Sequence, residues 1–168
     1  MSTETLHKRL SDSGAHIAQY VAQMSDSKIA DKPNQDIWSV HEILEHLAVA
    51  ESKVLRHFVQ TIIPAGKTLD FEEKSNITSF LVNNLATDQR KIVAPESVVP
   101  KGRYRETAHA MEQIRSNTYA AQELLASYGE DLRNYTMHNA ALGIISVYQW
   151  LEWIPSHRER HLLQMKGL

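Results

Sequence analysis

Apolar residues recur at helical steps along nearly the whole chain, and strand-like alternation is scarce. Leu6, Leu10, Ile17, Tyr20, Val21 and Met24 fall at three-, four- and seven-residue steps and predict a first helix over about residues 3–25. A polar stretch with Asp31, Pro33, Asn34 and Asp36 follows. Ser39 with Glu42 then reads as a capping box, which opens a helix. This second helix carries Ile43, Leu44, Leu47, Val54, Leu55, Phe58 and Ile62, and Pro64 and Gly66 stop it. Residues 65–75 read as a loop. A weaker helical pattern over 75–92 holds Ile77, Phe80, Leu81, Leu85 and Ile92. Pro95, Pro100 and Gly102 mark a further loop. A long helix over 104–128 carries Met111, Ile114, Leu124 and Leu125, with Gly129 as its stop. Residues 130–139 are polar and turn-like, and the last helix is expected from about Gly143 to Met165. Four long amphipathic helices and a shorter one predict an all-α bundle, a single domain over 1–168.

Composition narrows the function. Eighteen basic and twenty acidic residues leave a net charge of −2. That balance argues against a general nucleic-acid binder and against a polybasic membrane-surface protein. There is no cysteine. Disulfides, thiolate metal sites and a cysteine nucleophile are thereby excluded. Residues 1–20 carry Glu4, His7, Lys8, Arg9 and Asp12 and do not read as a signal peptide. The most apolar stretch, Ala140 to Leu151, is too short to span a membrane. A cytoplasmic protein acting on a small molecule is the expectation.

Bundles build ligand sites from side chains on facing helices, so inward-facing polar residues carry the information. Nine histidines outnumber phenylalanine and tryptophan together. His157 and His161, four apart, lie on one helix face and can reach a common ion. Trp150, Trp153 and Ile154 place them on an apolar stripe, with Arg158, Glu159 and Arg160 expected on the wet side. Glu159 is two residues from each histidine and is not placed as the base of a metalloprotease motif. His46, on the apolar face of the second helix with Ile43, Leu47, Ala50 and Val54, is the third ligand to consider. His41 lies about 140° away around that helix and does not easily share an ion with it. Each of these histidines has a bland reading as a hydrogen-bonded core or surface residue. Glu106 to His109 fits ExxH, a match that does not make a di-iron centre. His7, His16, His57, His109 and His138 have no histidine partner at helical spacing.

Taken together, these residues resemble the DinB/YfiT-like superfamily. The segment from Trp38 through His46 to Ala48 is similar to the family's first metal-histidine segment. The segment from Leu142 through His157 and His161 to Gln164 is similar to its second. The likeness runs from about residue 5 to 166. It implies an up-down-down-up four-helix bundle with an additional short helix, often a homodimer. It implies one divalent ion, commonly nickel or zinc, on His46, His157 and His161. Characterised relatives are S-transferases and isomerases that use bacillithiol, mycothiol or similar small thiols.

Three histidines leave a coordination position open, which is a catalytic arrangement. Water on such an ion titrates near pH ~7, and a bound thiol is deprotonated likewise. With no cysteine in the chain, a thiolate must come from a small thiol cosubstrate. Around the ligands, Glu42, Trp38, Trp153 and Gln164 are the residues expected to orient a ring or line the pocket, although Glu42 also serves the capping box. Three functions follow in order: transfer of a small thiol to an electrophile, hydrolysis by metal-bound hydroxide, and a non-catalytic stress-related bundle. No residue is singled out as catalytic.

Overall fold

The computed structural model describes residues 1–88 and 93–168. Helix α1 (Thr3–Val21) opens on Ser2, whose hydroxyl accepts from the Thr5 N–H. It buries Leu6, Leu10, Ser13, Ile17 and Val21 along one stripe. It ends short of the expected residue 25, because Ser25 caps a separate short helix, α2 (Asp26–Ala30). Helix α3 (Val40–His57) opens on the expected capping box of Ser39 and Glu42. It runs on through a π-helical turn, Phe58–Ile62, and a last turn α4 (Ile63–Ala65), and Gly66 ends it with φ +94°.

Helix α5 (Ser75–Asn83) and a 3-10 turn at Leu85–Thr87 take up the weaker pattern; its end at Ile92 lies outside the described residues. A second 3-10 turn, Glu96–Val98, precedes α6 (Thr107–Tyr128).

The all-α expectation needs one amendment. Residues 143–146, read as the start of the last helix, instead form strand β2 (Gly143–Ser146), paired antiparallel with β1 (Thr136–Asn139). Thr136 faces Ser146 and Asn139 faces Gly143. Gly143, at φ +78°, takes a backbone conformation that side chains disfavour. Helix α7 (Val147–Lys166) starts only at a second capping box, Ser146 with Gln149.

The helix directions follow from which ends meet. The Tyr20 hydroxyl, near the end of α1, donates to the Met165 carbonyl near the end of α7, 3.0 Å away. The amino terminus, just before α1, lies 3.3 Å from Glu152 early in α7. These two helices are therefore parallel. Ile43 and Leu47 from the first half of α3, and Ala110 and Ile114 from the first half of α6, join Ile17 and Met165 in one apolar cluster. Leu55, Leu124 and Leu125 join Leu6, Leu10 and Ile154 in the other. Helices α3 and α6 thus both run against α1, giving an up-down-down-up bundle. The parallel pair needs a long crossover, which the 58–106 segment supplies.

A buried polar slab separates the two apolar clusters. It holds Ser13, Glu51, Asn117, Thr118 and Arg158. Arg158, expected on the wet face, has no exposed surface at all. Its guanidinium donates Nε and Nη2 to the two Glu51 oxygens, at 2.8 and 2.7 Å. Nη1 donates to the Leu10 carbonyl and to Thr118 Oγ1, both at 3.0 Å. A buried charge is tolerated only when paired and fully hydrogen-bonded, and these partners come from α1, α3 and α6 together. Glu159 and Arg160 are half-buried. Glu159 pairs with Arg9 at 2.9 Å, and Arg160 donates to the carbonyls of Leu85 and Asp88.

Candidate metal centre

The three histidines singled out in the sequence come together. His46 projects from α3, and His157 and His161 from successive turns of α7. The Nε2 atoms of His157 and His161 are 3.0 Å apart, and those of His157 and His46 are 3.4 Å apart. One nitrogen from each of the three rings lies within 4.8 Å of the others. The rings are nearly buried, at 5, 9 and 8% exposure for His46, His157 and His161.

Hydrogen bonds set the tautomer of two of these rings, and burial bears on the charge of all three. His46 Nδ1 lies 3.0 Å from the Val98 carbonyl oxygen. A carbonyl only accepts, so Nδ1 carries the proton and Nε2 presents its lone pair to the other two rings. His161 Nδ1 lies 2.8 Å from Gln164 Oε1, which favours the same tautomer there. Burial lowers the His46 pKa, against the opposing Val98 hydrogen bond. Burial likewise pushes His161 down to about 3 and His157 well below its ordinary value, with neighbouring histidines adding to both shifts. The rings are therefore neutral at pH 7. Neutral imidazoles with converging lone pairs leave a pocket of negative potential that a cation relieves. The donor set, all nitrogen, fits a divalent ion with a coordination position left open.

Aromatic rings wall the cluster. Trp153 stacks on His157 with centroids 4.1 Å apart and planes 20° apart. Trp38 sits 5.0 Å from the His46 ring. Trp150 packs edge-on against Trp153. Of the four residues expected to orient a ring or line the pocket, Trp38, Trp153 and Gln164 touch the histidines. Glu42 is held by the Ser39 N–H at 2.8 Å and by Lys32 at 2.9 Å. It serves the helix cap. His41 bonds the Tyr104 carbonyl and Thr107 Oγ1, tying α3 to the start of α6.

Sequence reasoning missed the Val98 carbonyl and the Glu51–Arg158 pair. The first carries no side-chain signal. The second did leave one. Glu51 interrupts the apolar series Leu47, Glu51, Leu55, and Arg158 interrupts Ile154, Arg158, Leu162, each at four-residue steps. Opposite charges at matching points of two apolar stripes point to a buried pair.

An up-down-down-up bundle with three imidazoles facing one point across two of its helices defines the class of protein. The chain belongs to the DinB superfamily, whose family model matches residues 9–165. It is similar to YuaE, an uncharacterized protein of Bacillus subtilis, at 27% identity over 148 residues, covering 86% of this chain and 85% of that protein. Its fold is similar to that of YfiT from Bacillus subtilis, with a TM-score of 0.66 and 13% identity, covering 98% of this chain and 84% of the other. YfiT is described as a probable metal-dependent hydrolase with an unusual four-helix bundle topology.

Proposed function

We propose that this chain is a divalent-metal-dependent enzyme with His46, His157 and His161 as ligands. The observation that carries the reading is the Val98 carbonyl on His46 Nδ1, which leaves the Nε2 lone pair for an ion. The same Nε2 lies 3.4 Å from that of His157. A bound ion supplies Lewis acidity, lowering the pKa of a coordinated water or thiol. The chain supplies the rest. Val98 and Gln164 hold two of the rings in the ligating tautomer. Trp38 and Trp153 exclude water and offer flat walls to the apolar part of a substrate.

Transfer of a small thiol, of the bacillithiol or mycothiol type, to an electrophile is the first reading. The likeness to the DinB/YfiT-like superfamily, whose characterised relatives use small thiols, supports it. The cosubstrate must come from outside, because the chain has no cysteine. The description of YfiT favours hydrolysis as the second reading. A cytoplasmic homodimer completes the proposal.

Metal analysis of untagged protein, beside a His157→Ala, His161→Ala double variant, tests the centre. About one ion per chain in the parent, lost in the variant, is expected. Turnover of electrophiles only with added thiol supports transfer, and turnover in water alone supports hydrolysis. No binding of zinc or nickel in the parent overturns both.

A further inference from the structure

Glu45 directly precedes His46 on α3, and its carboxylate is only 1% exposed. It accepts three successive backbone N–H groups: Lys101 at 2.7 Å, Gly102 at 3.0 Å and Arg103 at 3.1 Å. Consecutive N–H groups curled about one anion form a nest. Gly102, at φ +72°, supplies the left-handed residue that closes it. The Arg103 guanidinium lies 3.5 Å from the same carboxylate and also donates to the Val99 carbonyl at 2.9 Å. Three residues before the nest is Val98, whose carbonyl fixes the His46 ring. Two adjacent residues of one helix therefore grip one short segment. Glu45 holds its backbone in place, and His46 takes its orientation from it.

The geometry points to Glu45 as a positioning residue of the metal centre. By clamping residues 101–103 it sets the place of the Val98 carbonyl, and through that carbonyl the direction of His46 Nε2. This inference rests on the proposed ligand role of His46. Lys101 and Gly102 are exposed, so an unclamped segment can exchange its N–H bonds for water without unfolding the bundle. The effect of losing Glu45 is then local. The Val98 carbonyl drifts, His46 gains freedom to turn, and the ion loses a fixed ligand.

The test uses the full chain, with Zn²⁺ and Co²⁺ as probes. Glu45→Ala removes the clamp. Glu45→Gln keeps the volume but turns one acceptor oxygen into a donor facing an N–H. Ser39→Ala, which breaks the capping box of the same helix, controls for general loosening of α3. Both Glu45 variants should bind zinc about tenfold more weakly or worse, the scale seen when a partner of a ligating histidine is lost. Their visible Co²⁺ absorption should shift. The amides of residues 101–103 should exchange faster in the metal-free variants. Ser39→Ala should match the parent in zinc affinity and Co²⁺ spectrum.

Parental zinc affinity in both Glu45 variants overturns the inference and leaves the ligand assignment standing. Failure of the parent to bind zinc, or binding unaffected by His157→Ala with His161→Ala, overturns the ligand assignment and this inference with it. If Glu45→Ala does not fold, Glu45→Gln decides.

Discussion

Each imidazole of the centre owes its low pKa chiefly to burial, and that has a consequence for acid stability. Free histidine titrates near ~6.5. In the folded chain His161 is pushed down to about 3, and His46 and His157 are lowered as well. Below about pH 6.5 the unfolded chain takes up protons that the folded chain refuses. The metal-free protein should thus hold the full histidine contribution above that pH and lose stability progressively as the pH falls toward 3. Urea midpoints of the metal-free chain between pH 8 and 4 should show this decline, and His161→Ala should flatten it. A flat profile in the parent would mean that the rings are solvated. The folded rings refuse protons over that range, so zinc affinity should hold below pH 6.5 and weaken only as the pH approaches the lowered histidine values. At this scale the sequence was informative. Spacing brought His157 and His161 together, and the apolar face of α3 brought in His46. The Val98 carbonyl was hidden, because every residue has a carbonyl and only the fold says which one meets a ring.

Where helices meet, the Glu51–Arg158 pair governs. Breaking a buried pair by removing one partner strands the other charge, at a cost of roughly 3–5 kcal/mol. Arg158→Leu should show a loss of that size in chemical denaturation. Combining it with Glu51→Leu should restore a good part, since two apolar groups of similar bulk need no pairing. Simple additivity of the two losses would show that the pair is not coupled. The hairpin offers a smaller test. Gly143→Ala forces a side chain into a positive-φ position and should cost about 1–2 kcal/mol by the same measurement. Both features escaped the sequence reading for physical reasons. Gly143, Ile144 and Ile145 extend the apolar run of α7, and a pair of short strands has too few residues to impose its own period. Arg158 precedes the charged Glu159 and Arg160 and reads with them as one polar face, while its carboxylate partner lies 107 residues away.

For the molecule as a whole, a ligand held only by the native state adds its binding free energy to folding. At a free metal concentration one hundred times Kd the gain is about 2.7 kcal/mol. For a chain of this size that raises the melting temperature by roughly 5–10 °C. Calorimetry with and without zinc should show the shift in the parent and lose it in the His157→Ala, His161→Ala variant. The four long helices and most of their apolar faces were legible in the sequence. Helix direction was not, because an apolar stripe is the same read up or down; only the resemblance supplied it. The topology also bears on how the molecule is made. A chain emerging from synthesis presents α1 first, then the parallel pair α3 and α6, and none of these brings more than one histidine of the cluster. Helix α7 delivers the other two, along with the arginine that bolts all four helices together. Until that helix docks beside α1, nascent protein has neither a finished core nor the full set of proposed ligands, so under that proposal loading with an ion would mark a chain whose synthesis has passed through α7.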